Sequence, residues 1–118
     1  MPAKRNPLNL NPLQLKTLTL LQELAHLVGT PTEVDAADDD GGGGIAISQL
    51  PNPHGDHFHL GEAVVAARDA TGLRNPSVWA ALRRKGLIDP KSDAVILTSL
   101  GQQYDTGMRD AILHRASH

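Results

Sequence analysis

The sequence places three histidines close together, at His54, His57 and His59. Imidazole nitrogens are common ligands for transition metals, and zinc, nickel and copper all accept them. Side chains two residues apart on a strand point to the same side, so His57 and His59 can reach one ion while His54 adds a third ligand from the preceding turn. The pattern therefore predicts a candidate site for a transition metal such as zinc. The competing interpretation is an exposed strand whose imidazoles hydrogen-bond to neighbouring backbone or carboxylate groups.

The same histidines are poor candidates for catalysis. His57 beside Asp56 or Glu62 could serve as a general base, but a nucleophile, oxyanion-stabilising donors and a pocket are also required. The sequence has no Gly-x-Ser-x-Gly motif and no dinucleotide-binding fingerprint, and the glycines at 41–44 lack the Lys-Ser or Lys-Thr of a phosphate loop. Cysteine is absent, which excludes disulfides, thiolate zinc sites and cysteine nucleophiles. We therefore predict that the protein is not an enzyme and has no cofactor apart from the candidate metal.

Three consecutive cations, Arg83, Arg84 and Lys85, end a predicted helix that begins at Asn75-Pro76. Asparagine can cap the free amides of a helix, proline is tolerated at its first position, and Gly86 favours its termination. Small side chains followed by cations suit a helix that approaches a phosphate backbone and enters a groove. The alternative is an ordinary basic helix end, because the helix dipole favours cations there.

Hydrophobic spacing assigns the faces of this helix. Three residues recur at helical spacing and are expected in the core: Val78, Trp79 and Leu82. Three small residues are expected on the remaining surface together with the cations: Ser77, Ala80 and Ala81. Gly72 is expected to end the preceding helix in the left-handed conformation, which glycine adopts without a Cβ clash.

Two short β-rich runs follow this helix, at 87–88 and 94–98, and the turn-forming segment 89–93 joins them. They predict a β-hairpin directly after a helix-turn-helix. Leu-Arg-Arg-Lys-Gly-Leu-Ile at 82–88, followed by Val-Ile-Leu-Thr-Ser-Leu-Gly at 95–101, resembles winged helix-turn-helix regulators of the MarR and PadR type. In those proteins the recognition helix ends in Lys-Gly-Leu-Ile, a hairpin called the wing follows, and Leu-Thr-x-x-Gly opens the next helix. The resemblance covers residues 61–107.

This resemblance implies binding to duplex DNA, with the helix after Asn75 in the major groove. The small residues would then lie near base edges, and the cations would contact phosphates. Lys91 at the tip of the hairpin and Arg74 in the turn would add backbone contacts. The candidate DNA-binding residues are Arg74, Asn75, Ser77, Ala80, Ala81, Arg83, Arg84, Lys85 and Lys91.

The expected fold is mainly α with small β: a winged helix-turn-helix with an extra N-terminal helix and a β-hairpin before helix two. Helix one is predicted at about 12–28, after Asn11-Pro12, with an apolar stripe that ends at Leu27 and Val28. The hairpin is predicted from 45–50 and 56–60, and helix two from about 61 to 71. A final helix begins near Thr98 or Ser99 and directs five residues inward: Leu100, Tyr104, Met108, Ile112 and Leu113.

Composition places these elements in one domain, because 118 residues suffice for a single modest core. We expect a flexible arm at 1–10, one domain at 11–118, and a mobile acidic and glycine-rich loop at 30–44. The net charge of −2 counts against nucleic-acid binding. Five of the 13 acidic residues lie in that loop, however, so the 11 Lys and Arg outnumber the remaining eight acids by three. The sequence shows neither a signal peptide nor a membrane-spanning segment, which predicts a cytoplasmic protein without membrane contact.

The predicted partners are duplex DNA and a second copy of the chain. Helix one and the C-terminal helix are the candidate dimer surface, although helix one could instead be packed deeply within the domain. Two alternatives to a DNA-binding transcriptional regulator stay open. The domain could be a winged-helix module for protein association. It could also be a metal-responsive regulator acting through the hairpin of His54, His57 and His59.

Overall fold

A computed structural model describes residues 9–31, 44–48, 57–60, 63–91 and 94–115. The helices are α1 (Pro12–Val28), a 3-10 helix (Ala67–Arg74), α2 (Pro76–Arg84), α3 (Ser99–Gln103) and α4 (Arg109–Ile112). The strands are β1 (Thr30–Pro31), β2 (Ile45–Ile47), β3 (His57–Leu60), β4 (Ala63–Ala66), β5 (Ile88–Pro90), β6 (Val95–Leu97) and β7 (His114–Arg115). The architecture is therefore helical with small antiparallel sheets, in agreement with the coarse fold prediction. Most of the predicted arm at 1–10 and of the loop at 30–44 lies outside the described residues.

Helix α1 begins and ends where the sequence predicts. The Asn11 side chain accepts a hydrogen bond from the Gln14 amide at 2.8 Å, and the Gln14 side chain accepts one from the Asn11 amide at 3.0 Å. This reciprocal capping box satisfies two amides that have no partner within the helix, and Pro12 occupies a position where no amide is required.

Helix α1 is the centre of the core rather than a surface element. Leu18, Leu20 and Leu21 are fully buried, and the helix contacts the 3-10 helix, α2, β2 and the C-terminal helices. Of the two predictions for helix one, a dimer surface or a helix packed deeply within the domain, the structure shows the deeply packed helix. Its apolar stripe ends earlier than predicted, because Leu27 and Val28 are 41% and 51% exposed.

One sheet has four antiparallel strands in the order β1-β2-β6-β5. The hairpin predicted after α2 is confirmed: β5 pairs with β6 in a register that sets Ile88 opposite Leu97. The prediction that 45–50 and 56–60 pair as a hairpin is wrong, because β2 pairs with β1 and β6 instead. The buried residues Ile47, Val95 and Leu97 place the inner side of this sheet against the core.

A second sheet, in the order β3-β4-β7, replaces the first half of predicted helix two. A hairpin therefore does precede the second helical segment, but it is formed by β3 and β4. Val64 and Val65 favour a strand because branched side chains pack well on a pleated surface. On β4, Val65 is fully buried while its neighbours Val64 and Ala66 are only partly buried, so the face that carries Val65 is turned to the core.

The second half of predicted helix two is the 3-10 helix, and it lies directly on α1. A Cβ at Gly72 would overlap Thr17 Oγ1 and would lie 3.2 Å from Thr17 Cβ. Lys16 Nζ is 2.8 Å from Asp69 Oδ1, which ties the same two elements together. The left-handed conformation predicted for Gly72 is wrong, since the positive-φ glycines among the described residues are Gly86 and Gly107. Glycine is needed at 72 for close helix contact.

The predicted C-terminal helix is interrupted and forms α3 and α4. Thr98 Oγ1 caps α3 by accepting a hydrogen bond from the Gly101 amide at 3.1 Å. After α3 the chain becomes extended at Tyr104, and Gly107 has φ +68°. Tyr104 and Ile112 are buried as predicted, and Met108 and Leu113 are partly buried. Leu100 is 46% exposed, so its inward assignment is wrong.

Candidate nucleic-acid interface

Helix α2 is held at both ends by the residues that the sequence singles out. The Asn75 side chain accepts a hydrogen bond from the Ser77 amide at 2.9 Å, so Asn75 caps the helix. At the other end Gly86 has φ +77°, its amide donates to Arg83 O at 2.9 Å, and the Leu87 amide donates to Leu82 O at 3.0 Å. These two bonds are the Schellman motif, which fixes where the helix stops and where β5 begins.

The buried side of α2 differs from the prediction at two positions. Val78 and Leu82 are in the core as predicted, whereas Trp79 is only partly buried and packs on the edge of the core. Ala81 was expected on the outer surface near base edges, but it is 4% exposed. That placement is wrong, because Ala81 lies on the same side of the helix as Val78 and Leu82 at a spacing of 3.6 residues per turn. A buried methyl group has no access to a base.

The outer face of α2 consists of Ser77, Ala80, Arg83 and Arg84, all exposed. Arg83 and Arg84 have no ion-pair or hydrogen-bonded side-chain partner among the described residues. Lys85 follows at the C-cap and is partly buried, so it is less accessible than the two arginines. Arg74, exposed at the end of the 3-10 helix, adds a fourth cation near the start of α2.

No acidic residue occurs between Asp69 and Asp89, a segment that contains Arg74, Arg83, Arg84 and Lys85. Asp69 itself is buried against Lys16 and does not offset these cations at the surface. Within residues 70–88 the helix pair therefore carries four cations and no carboxylate of its own. A local excess of positive charge is the electrostatic requirement for contact with a phosphate backbone.

The β5–β6 hairpin stands beside α2. Trp79 of α2 and Pro90, Lys91 and Val95 of the hairpin line one groove of about 230 Å³, which brings the hairpin tip next to the middle of the helix. Lys91 Nζ lies 3.1 Å from Asp89 Oδ2, and both side chains are about half exposed. An exposed pair of this kind contributes little to stability, so the Lys91 ammonium group can exchange its carboxylate partner for a phosphate at small cost.

Three contacts that position this surface were not predicted. The 3-10 helix is held on α1 by two of them: the close packing of Gly72 against Thr17, and the ion pair between Lys16 and Asp69. Thr98 Oγ1 donates to the carbonyls of Gly86 and Leu87, at 2.7 and 3.0 Å, and joins the end of α2 to α3. These partners are distant in sequence, so local patterns carry no signal for them.

The histidines form a pair in the described residues. His57 and His59 lie two apart on β3, and their Nε2 atoms are 3.0 Å apart. His54 lies outside the described residues. Within those residues there is no group of three or more His, Asp or Glu side chains that could hold a metal ion. The metal site of three histidines thus stays a prediction, and the described residues contain the His57–His59 pair.

Comparison of the chain with protein-family models, with curated proteins and with solved structures gives no match. The functional argument therefore rests on the chain's own geometry. In the part of the chain that the structure describes, none of the helices has the length and apolar character needed to cross a membrane.

Proposed function

We propose that the chain is a winged-helix protein that binds duplex DNA through the outer face of α2 and the β5–β6 hairpin, and that it acts in transcription. The observation that carries this proposal is the pair of exposed arginines, Arg83 and Arg84, on a capped helix within a segment free of acidic residues.

The order of elements supports the winged-helix interpretation. A helical pair, the 3-10 helix and α2, is followed at once by a hairpin. Strand β2, which precedes the pair, lies beside β6, and β6 lies beside β5. A short strand before the helical pair and a hairpin after it are expected of a winged helix. Two features depart from that pattern, namely the 3-10 geometry of the first helix of the pair and the additional β3–β4 hairpin.

The chemistry of α2 suits a helix that enters the major groove. Ser77 and Ala80 are small and exposed, so the helix can approach base edges closely. Arg83 and Arg84 lie at its C-terminal end, where they would contact phosphates and fix the depth of insertion. Lys91 at the hairpin tip would contact the backbone of the same duplex, because the hairpin stands beside the helix.

One observation favours a second candidate function, a module for protein association. The groove between α2 and the hairpin is lined mainly by apolar side chains, among them Ile47, Trp79 and Val95. An apolar groove beside cations could receive a peptide segment that carries both apolar and acidic residues. A homodimer through α1 and the C-terminal helices remains a separate prediction, which the central position of α1 does not favour.

Fluorescence anisotropy of a labelled random duplex, measured at several salt concentrations, tests the DNA proposal. The informative variant is Arg83→Ala/Arg84→Ala, because both side chains are exposed and their removal leaves the core intact. Each phosphate contact contributes about −0.9 to the slope of log K against log salt, so the double variant should reduce the slope by about 2. The matched control is Arg83→Lys/Arg84→Lys, which preserves the charge and should keep the slope.

Two outcomes would count against the proposal. Absence of binding even at low salt would leave the protein-association module as the better candidate. Binding that the double Ala variant does not weaken would show that the duplex contacts another surface, and the assignment of α2 would be wrong.

A further inference from the structure

The side chains of His57 and His59 face each other on the outer side of β3. Their Nε2 atoms are 3.0 Å apart, and the ring centroids are separated by 4.7 Å with the planes at 79°. Leu60, which alternates with them, is buried in the core. The register with β4 fixes the backbone of both histidines, since His57 pairs with Ala66 and His59 with Val64.

Two imidazoles in this arrangement cannot both carry a proton on Nε2, because two N–H groups would then point at each other. One proton shared in an N–H···N hydrogen bond is one solution, and the separation of 3.0 Å is compatible with it. A metal ion in place of the shared proton is the other, with both lone pairs directed at the ion. Two imidazole nitrogens on one tetrahedral zinc ion, at about 2.0–2.1 Å each, are about 3.3 Å apart.

The observed pair needs to open by only a few tenths of an ångström to reach that distance. We propose that His57 and His59 bind one divalent transition-metal ion through their Nε2 atoms, on the outer side of β3. Imidazole ligands select Ni²⁺, Cu²⁺ and Zn²⁺ over Mg²⁺ and Ca²⁺, and the general order of affinities makes Cu²⁺ the tightest of these ions. Because the proposal involves β3 rather than α2, it is independent of the proposed DNA binding.

The environment of the pair indicates an open, exchangeable site. His59 is exposed and His57 is partly buried, so water reaches the ion. In the part of the chain that the structure describes, the site has two protein ligands, because no group of three candidate ligands exists there. Structural zinc sites use four protein ligands. A site with two protein ligands does not hold the fold together, and the metal-free protein should keep its structure.

Isothermal titration of the full, untagged chain with NiCl₂ and with CuCl₂ tests the proposal. The expected result is one ion per chain, with Cu²⁺ bound more tightly than Ni²⁺. His57→Gln and His59→Gln should each raise the Kd by about tenfold or more, because even the loss of a residue that only supports a ligand costs about 10–100-fold in affinity. The matched control is His26→Gln on the exposed end of α1, which should bind like the parent chain.

Nuclear magnetic resonance locates the ion independently of affinity. Paramagnetic Ni²⁺ or Cu²⁺ should broaden first the signals of His57, His59 and their cross-strand neighbours Val64 and Ala66. Circular dichroism confirms that each variant is folded. The proposal is overturned if neither ion binds saturably, which would leave the two histidines as a hydrogen-bonded pair only. It is equally overturned if both His→Gln variants bind like the control.

Discussion

Replacement of Gly72 by Ala should destabilise the protein through one identifiable contact. The new Cβ would overlap Thr17 Oγ1 and lie 3.4 Å from Leu13 Cδ1, on the line where the 3-10 helix meets α1. Thr17 is fully buried, and its hydroxyl donates to Leu13 O at 2.8 Å, so it has no room to turn away. Overpacking of this kind costs about 1–3 kcal/mol.

The size of the effect follows from two opposing terms. The Gly-to-Ala change restricts the unfolded chain and regains about 0.4–1 kcal/mol where the backbone conformation is compatible with alanine. Gly72 has no positive φ, so this gain applies. We expect a net loss of about 1 kcal/mol in the free energy of unfolding, which corresponds to a fall in Tm of about 4 °C for a chain of this size.

A double-mutant cycle with Thr17 tests the mechanism as well as the magnitude. Thr17→Ala should cost about 1–2 kcal/mol by itself, because it deletes one buried methyl group and the hydroxyl that donates to Leu13 O. In the combined Gly72→Ala/Thr17→Ala variant the overlap with Oγ1 is gone. That variant should therefore be more stable, by about 1–2 kcal/mol, than the sum of the two single changes implies. Urea denaturation followed by circular dichroism measures all four species.

Thr17→Ser is the matched control, because it deletes the methyl group but keeps the hydroxyl. The Gly72→Ala/Thr17→Ser pair should show no rescue. Additive effects in the Gly72→Ala/Thr17→Ala pair would refute the reasoning, since they would mean that Gly72 and Thr17 do not constrain each other.

Two further predictions concern the ends and edge of α2. Asn75→Ala should lower the free energy of unfolding by about 1 kcal/mol, because the Ser77 amide loses its hydrogen-bond acceptor. Asn75→Asp keeps an acceptor and should cost less. Urea denaturation measures both variants, and equal losses would contradict the capping role of Asn75. Trp79→Phe should cost about 1 kcal/mol, because the indole N–H donates to Leu73 O at 2.9 Å and the carbonyl would lose that donor. An unchanged Tm in this variant would contradict the importance of that bond.

The sequence was sufficient where local interactions decide the structure. The starts of α1 and α2 follow from Asn-Pro pairs, in which the asparagine side chain caps the helix and proline takes its first position. The end of α2 follows from Gly86. The β5–β6 hairpin follows from two β-rich runs around a turn. All of these signals lie within a few residues of the element that they define.

The errors arise where distant parts of the chain compete for one segment. Residues 63–66 have small and branched side chains that are compatible with helix or strand, and pairing with β3 decides for the strand. The predicted C-terminal helix is interrupted between Tyr104 and Gly107. In this stretch the buried Thr106 Oγ1 lies 2.5 Å from Thr19 Oγ1, a contact between residues that are 87 positions apart in the sequence. Ala81 was assigned outward because alanine is small and gives no strong signal for either face.

The net charge of −2 does not describe how the charges are distributed over the described residues. Glu23 and Asp69 are buried and paired with Arg109 and Lys16, and the Asp105 carboxylate accepts from the Gly107 amide. The Glu23 and Asp69 carboxylates are buried and ion-paired and therefore contribute little to the outer potential, whereas Asp105 is exposed. Arg83 and Arg84 have no such partner among the described residues, so their charge is directed to solvent. The net charge is therefore a weak test of the proposed DNA binding, and the exposed arginines of α2, which have no partner among the described residues, are the more direct one.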